Sequence, residues 1–169
     1  SSRAKLCLQL GHSGRKGSTQ LGWERDDHPL AAGNWETLAP SPLPYLEGIR
    51  AIPREMTRND MARVIAEFVA STRYGREAGF DMLELHMAHG YLLASFLSPL
   101  TNLRTGAYGG AIANRLRFPL EVLETVRATE QSQMEAIVAK DLRGAVSNYE
   151  AEAVVLVPGR ATLVGAPAI

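Results

Sequence analysis

The sequence predicts an α/β fold in which parallel strands alternate with helices, and three observations predict it. Residues 80–86 (FDMLELH) sort by alternation into two faces: Leu83 and Leu85 on one, Met82, Glu84 and His86 on the other. One face is apolar, and the other turns polar toward its carboxyl end. Such a strand packs helices on its outer side and opens a reaction mouth at its end. Residues 5–10 (KLCLQL) repeat the pattern, with Leu6, Leu8 and Leu10 opposite Lys5, Cys7 and Gln9. Between the two lies a helix closed by a glycine, and strand–helix–strand makes neighbouring strands parallel.

The composition narrows the class. A chain of 169 residues can bury a core of its own. Its 18 basic and 18 acidic residues cancel, which removes the electrostatic case for nucleic acid or an anionic membrane surface. The single cysteine, Cys7, excludes an internal disulfide framework and fits a reducing compartment. No apolar run approaches the ~20 residues that span a bilayer, and residues 1–14 lack the apolar core of a signal peptide. The expectation is a soluble cytoplasmic protein.

The first strand ends at Gln9, with His12 shortly after it. The plainer alternative is that both merely cap a loop, since polar residues are common at strand ends. The connection over residues 11–50 is long and rich in Gly and Pro, a length associated with functional covers or disorder. Trp23, Trp35 and Tyr45 argue for packing there. Arg15 and Lys16 stand within reach of a phosphate or carboxylate, although a solvated basic turn is the plainer reading.

Thr57 and Asp60 resemble a capping box with Asp in the acidic position. Met61, Val64, Ile65, Phe68 and Thr72 follow helical spacing, and Gly79 terminates the run. After the second strand, residues 91–97 form a short helix stopped by Ser98 and Pro99. Residues 102–110 are a turn-rich loop. A further helix is expected over 115–127 on a stripe of Leu116, Leu120, Leu123 and Val126, with Pro119 in its first turns. Residues 130–140 suggest another helix and 153–157 a short buried strand before Gly159 and Arg160.

His86 and His89 carry the chemistry. With Glu84 they suggest a zinc site, but an H-x-x-H pair needs further ligands, and none is well placed. Alternatively, both imidazoles donate to one substrate oxygen and stabilise charge developing there. Tyr91 would then deliver a proton to the adjacent carbon. That combination suits conjugate reduction of an activated alkene. Two structural histidines on a barrel rim are the remaining reading.

The segments QLGHSGRKG (9–17), ELHMAHGYLLASFLSPLTNLRTGAYGG (84–110) and NRLRF (114–118) resemble the Old Yellow Enzyme family. The nearest branch is the bacterial type, with xenobiotic reductases and the flavin domains of 2,4-dienoyl-CoA reductase-like proteins. The resemblance implies a (β/α)8 TIM barrel holding FMN, with NADH or NADPH as hydride donor and a small enone or enoyl compound as substrate. It implies that Gln9 binds the flavin pyrimidine edge and that His86 lies near the flavin. His86 and His89 would bind the substrate carbonyl, and Tyr91 would donate the proton. Arg104, Tyr108, Gly109 and Gly110 fall in a loop read as structural. Gly106 stands where the family usually has Asp, and Ala111 where it usually has a capping Ser.

A complete barrel takes ~250 residues or more, so the expectation here is a partial (β/α)8 barrel. Residues 1–127 would be its central portion. Residues 128–169 resemble the barrel's terminal helix and strand, joined after an internal deletion, with Gly159 and Arg160 as contacts to the FMN phosphate. An open half-barrel leaves strand edges unpaired. It is therefore expected to bind FMN weakly or not at all by itself, and to need a partner, pair with itself through those edges, or fold poorly. The alternative to an oxidoreductase is a non-catalytic remnant or interaction fragment.

Overall fold

The computed structural model describes residues 4–25, 27–138, 154–155 and 163–164. Two parallel strands, β1 (Cys7–Leu10) and β4 (Met82–Leu85), form the sheet that carries the site. Their register pairs Gln9 with Glu84 and Leu10 with Leu85. As the alternation predicts, Leu8, Leu83 and Leu85 turn toward the core while Cys7, Gln9, Met82 and Glu84 are exposed. A closed barrel would cover that second face; among the described residues the strands close no barrel.

The connection from β1 is folded, for a different reason than the tryptophans suggest. Trp23 and Trp35 are 82% and 58% exposed. The packing comes instead from Leu38, Ala39 and Pro40, all buried, and from buried Arg50, which donates to the backbone oxygens of Gly17 and Asp27. A second parallel pair, β2 (Leu38–Ala39) with β3 (Arg54–Glu55), closes the segment. Two-residue strands carry no alternation, so the sequence gives no sign of them.

Helix α1 (Arg58–Glu77) starts as expected: Asp60 N–H donates to Thr57 Oγ1 at 3.1 Å, and Thr57 N–H to Asp60 Oδ2 at 2.8 Å. Asp60 also receives Arg54 through two parallel bonds of 2.7 and 3.0 Å. The Arg54 guanidinium and the Thr57 donors hold the Asp60 carboxyl far below the usual carboxylate range. Met61, Val64, Phe68 and Thr72 form the buried stripe, and Gly79, at φ +87°, ends the helix in the left-handed conformation glycine accepts.

Helix α2 (Leu92–Leu97) follows Tyr91, and α3 (Ile112–Val138) is a single long helix. Two expectations fail there. The helices predicted over 115–127 and 130–140 are continuous through Ala128, which has high helix propensity. The buried stripe is Phe118, Val122 and Val126 rather than one through Leu120, which is 42% exposed. Phe118 sets the rotation, because its ring packs against Phe96 of α2 at 4.7 Å. Because the helix already starts at Ile112, Pro119 lies in its interior rather than its first turns.

The loop read as structural behaves so. Arg104 donates to the oxygens of Pro40 and Met56 and pairs with Glu55 at 3.2 Å. Buried Asn102 donates to Phe96 and Tyr108. The Tyr108 hydroxyl reaches Glu121 at 2.8 Å.

The chain divides into two compact units, residues 1–129 and 130–169. In the second, β5 (Val154–Val155) pairs antiparallel with β6 (Leu163–Val164). Val154–Val155 lies within the stretch expected as a strand at 153–157, and the rest of that stretch and its burial lie outside the described residues. Gly159, Arg160 and residues 141–150 lie outside the described residues.

Candidate active site

The loops after β1 and β4 are joined at the carboxyl ends of the strands. His86 N–H continues the ladder to Leu10 O at 2.8 Å, and Leu92 N–H donates to His12 O at 2.9 Å. Gly14, at φ +58°, lets the first loop approach α2 so closely that a Cβ there would sit 3.0 Å from Leu92 Cα. No larger residue fits.

This junction gathers three of the predicted side chains. The His86 ring meets His89 edge-on at 5.0 Å between centroids and Tyr91 at 4.9 Å. His89 has φ +55° and Gly90 φ +70°, and Tyr91 N–H closes the turn on Ala88 O at 3.1 Å. A left-handed histidine is uncommon and costs on the order of 1 kcal/mol; such strain persists where surrounding structure imposes it. Here it folds the His89 ring back toward His86. His86 and Tyr91 are half-buried, and His89 is exposed.

Gln9 lies one ladder step below, on the same face. Its amide donates to Glu84 Oε1 at 3.0 Å. The carboxylate thus orients the amide, leaving the Gln9 oxygen and one N–H free to meet a ring edge with matching donors and acceptors. The pyrimidine edge of a flavin is such an edge, so the residues present fit the cofactor the sequence implies. Glu84 was legible only as a possible zinc ligand; the register that makes it the partner of Gln9 is a tertiary fact. Among the described residues no three His, Cys, Asp or Glu side chains gather as a metal-binding set.

The structure adds Lys16 and Tyr45 to the neighbourhood of the cluster. Lys16 Nζ lies 4.4 Å from the Tyr45 ring centroid and 5.7 Å from that of Tyr91. The only signal was the basic pair after Gly14, and nothing in it named Tyr45 as a partner. His12 is not a site group: its Nδ1 accepts Gly14 N–H at 3.0 Å, and burial pushes its pKa down. It borders a separate cavity of about 200 Å³ with Val64, Glu67, Phe68 and Ser71.

Parallel strands with outer helices, whose carboxyl ends present two imidazoles, a phenol and an oriented amide, are the arrangement expected of a flavin oxidoreductase family. The chain belongs to the NADH:flavin oxidoreductase / NADH oxidase family, whose model matches residues 1–152. It is 40% identical over 144 residues to an NADPH dehydrogenase of Clostridium acetobutylicum, across 83% of this chain and 38% of that protein. An NADPH dehydrogenase of Geobacillus sp. is 42% identical across 73% of this chain and 32% of the relative. The chain therefore spans about a third of the length of these relatives. Among solved structures, morphinone reductase superposes with a TM-score of 0.57 at 31% identity, covering 72% of this chain and 34% of that one. Histamine dehydrogenase from Rhizobium sp. 4-9 gives 0.60 at 32%, covering 75% and 18%. Morphinone reductase in complex with tetrahydroNAD gives 0.59 at 30%, covering 74% and 36%. FMN and a nicotinamide donor are the cofactors of this family. Among the described residues, no helix is long and apolar enough to cross a membrane.

Proposed function

We propose that this site reduces the activated C=C bond of α,β-unsaturated carbonyl compounds. The observation that carries the reading is the convergence of His86, His89 and Tyr91 at one loop junction above Gln9. When bound, FMN would supply the two-electron hydride chemistry that links NAD(P)H to the β-carbon of the alkene. His86 and His89 donate N–H bonds to the carbonyl oxygen and hold the negative charge that builds there. Tyr91 gives its phenolic proton to the α-carbon and recovers one from water, completing the addition of H⁻ and H⁺. Gln9, held by Glu84, and His86 would hold the flavin.

Gly159 and Arg160 remain proposed phosphate contacts, within a segment (128–169) proposed to derive from the terminal unit of the barrel by internal deletion. Comparing the coding segments with those of a full-length relative tests the deletion; an uninterrupted middle in the same gene overturns it.

The exposed Leu6, just before β1, and Met82 on β4 favour a second reading, an interaction fragment that pairs through its strand edges. Purification with excess FMN, followed by flavin absorbance and NADPH-dependent turnover of cyclohexenone, separates the two. Retained flavin with turnover supports the enzyme. Self-association without flavin or turnover supports the fragment.

A further inference from the structure

Lys16 stands beside the ring cluster with its charge uncommitted. Among the described residues no carboxylate forms an ion pair with it. The neighbouring Arg15 is occupied, donating to the carbonyls of Leu43 and Pro44. Glu84, the carboxylate on the inward face of β4, accepts from Gln9. What lines the mouth is thus a set of donors: His86, His89, Tyr91 and Lys16.

The ammonium is also held in place. Its neighbours are the Tyr45 and Tyr91 rings, and its Cε would lie 3.9 Å from a Cβ on Gly90. Ring faces orient a cation without neutralising it, and they leave its three N–H donors needing an acceptor. They also displace water, which strengthens the attraction for an anion. The turn bearing Lys16 is fastened to the Tyr91 helix by the Gly14–Leu92 contact and the bond from Leu92 N–H to His12 O. The charge lies 5.7 Å from the centroid of the Tyr91 ring, which also meets the His86 ring at 4.9 Å.

We infer that Lys16 selects the substrate, so that the site takes unsaturated carbonyl compounds bearing a carboxylate over neutral ones. The carbonyl sits at the histidine pair and the carboxylate on the Tyr91 side, at Lys16. The inference rests on the reading of the site given above, and it names the substrate class.

The test is a calorimetric titration of the full chain, with FMN present and absent, using 3-oxocyclohexene-1-carboxylate and its methyl ester. The acid is expected to bind about tenfold more tightly than the ester, the scale of one charge-assisted contact. Lys16→Met should abolish that preference while leaving ester binding unchanged, and Lys16→Arg should retain most of it. Raising the salt should narrow the preference. Equal affinities, binding of neither compound, or a preference that survives Lys16→Met overturns the inference. So does a Lys16→Met variant that weakens NADPH binding instead, which would assign the charge to the dinucleotide phosphate. A preference that persists in a chain unable to reduce the enone sinks the redox reading and leaves the recognition by Lys16 standing.

Discussion

Gln9 and Glu84 face each other across the two parallel strands, amide nitrogen 3.0 Å from carboxylate oxygen. The pair fixes which way the Gln9 amide points. Glu84→Ala should weaken FMN binding about fivefold, the worth of one net hydrogen bond. Flavin fluorescence quenching measures it. Unchanged affinity would mean that Gln9 is oriented by something else.

Tyr91→Phe keeps the ring, its contact with His86 and its contact with Lys16, and removes one hydroxyl. In flavin-loaded protein, stopped-flow absorbance should show reduction by NADPH at its original rate and reoxidation by enone slowed about 10²-fold or more. Equal slowing of both steps would assign Tyr91 to flavin binding rather than to proton delivery.

His12 makes stability pH-dependent. Burial lowers its pKa from the ordinary value, Arg63 adds to the effect, and Glu67 opposes it. The unfolded chain therefore binds this proton more readily than the folded one. The contribution is complete above the ordinary histidine range of ~6.5 and is lost as pH falls through and below it. A protonated Nδ1 could not accept Gly14 N–H. Urea midpoints measured from pH 8 to pH 5 should fall, and His12→Asn should flatten the decline. Parallel slopes in the two proteins would remove His12 as the cause.

A Cβ on Gly109 would collide with the Arg104 carbonyl, whereas one on Gly106 meets nothing within 4 Å. Gly109→Ala should cost about 2 kcal/mol or more, and Gly106→Ala should stay within about 0.5 kcal/mol. Thermal melts of the two variants give the comparison. Similar melting temperatures would contradict the packing of this loop.

Much of the architecture was legible because it obeys short periods. Alternation marked β1 and β4, and the Thr57–Asp60 cap and Gly79 bracketed α1. The candidate site residues named from the sequence, His86, His89, Tyr91 and Gln9, fall where those patterns end. β2 and β3 were not legible, since strands of two residues have no pattern. The rotation of α3 was decided by the meeting of Phe96 and Phe118, between which local spacing is silent.

The residues alone determined that strand, helix and strand would alternate and that two imidazoles and a phenol would fall on one loop, because covalent spacing fixes which groups can be neighbours along a chain. Only the tertiary structure decided that Glu84 would hold Gln9 and that Lys16 would lie between Tyr45 and Tyr91. Those pairs are far apart in sequence, and strand register and loop packing bring them together, acting over distances at which local preference carries no information.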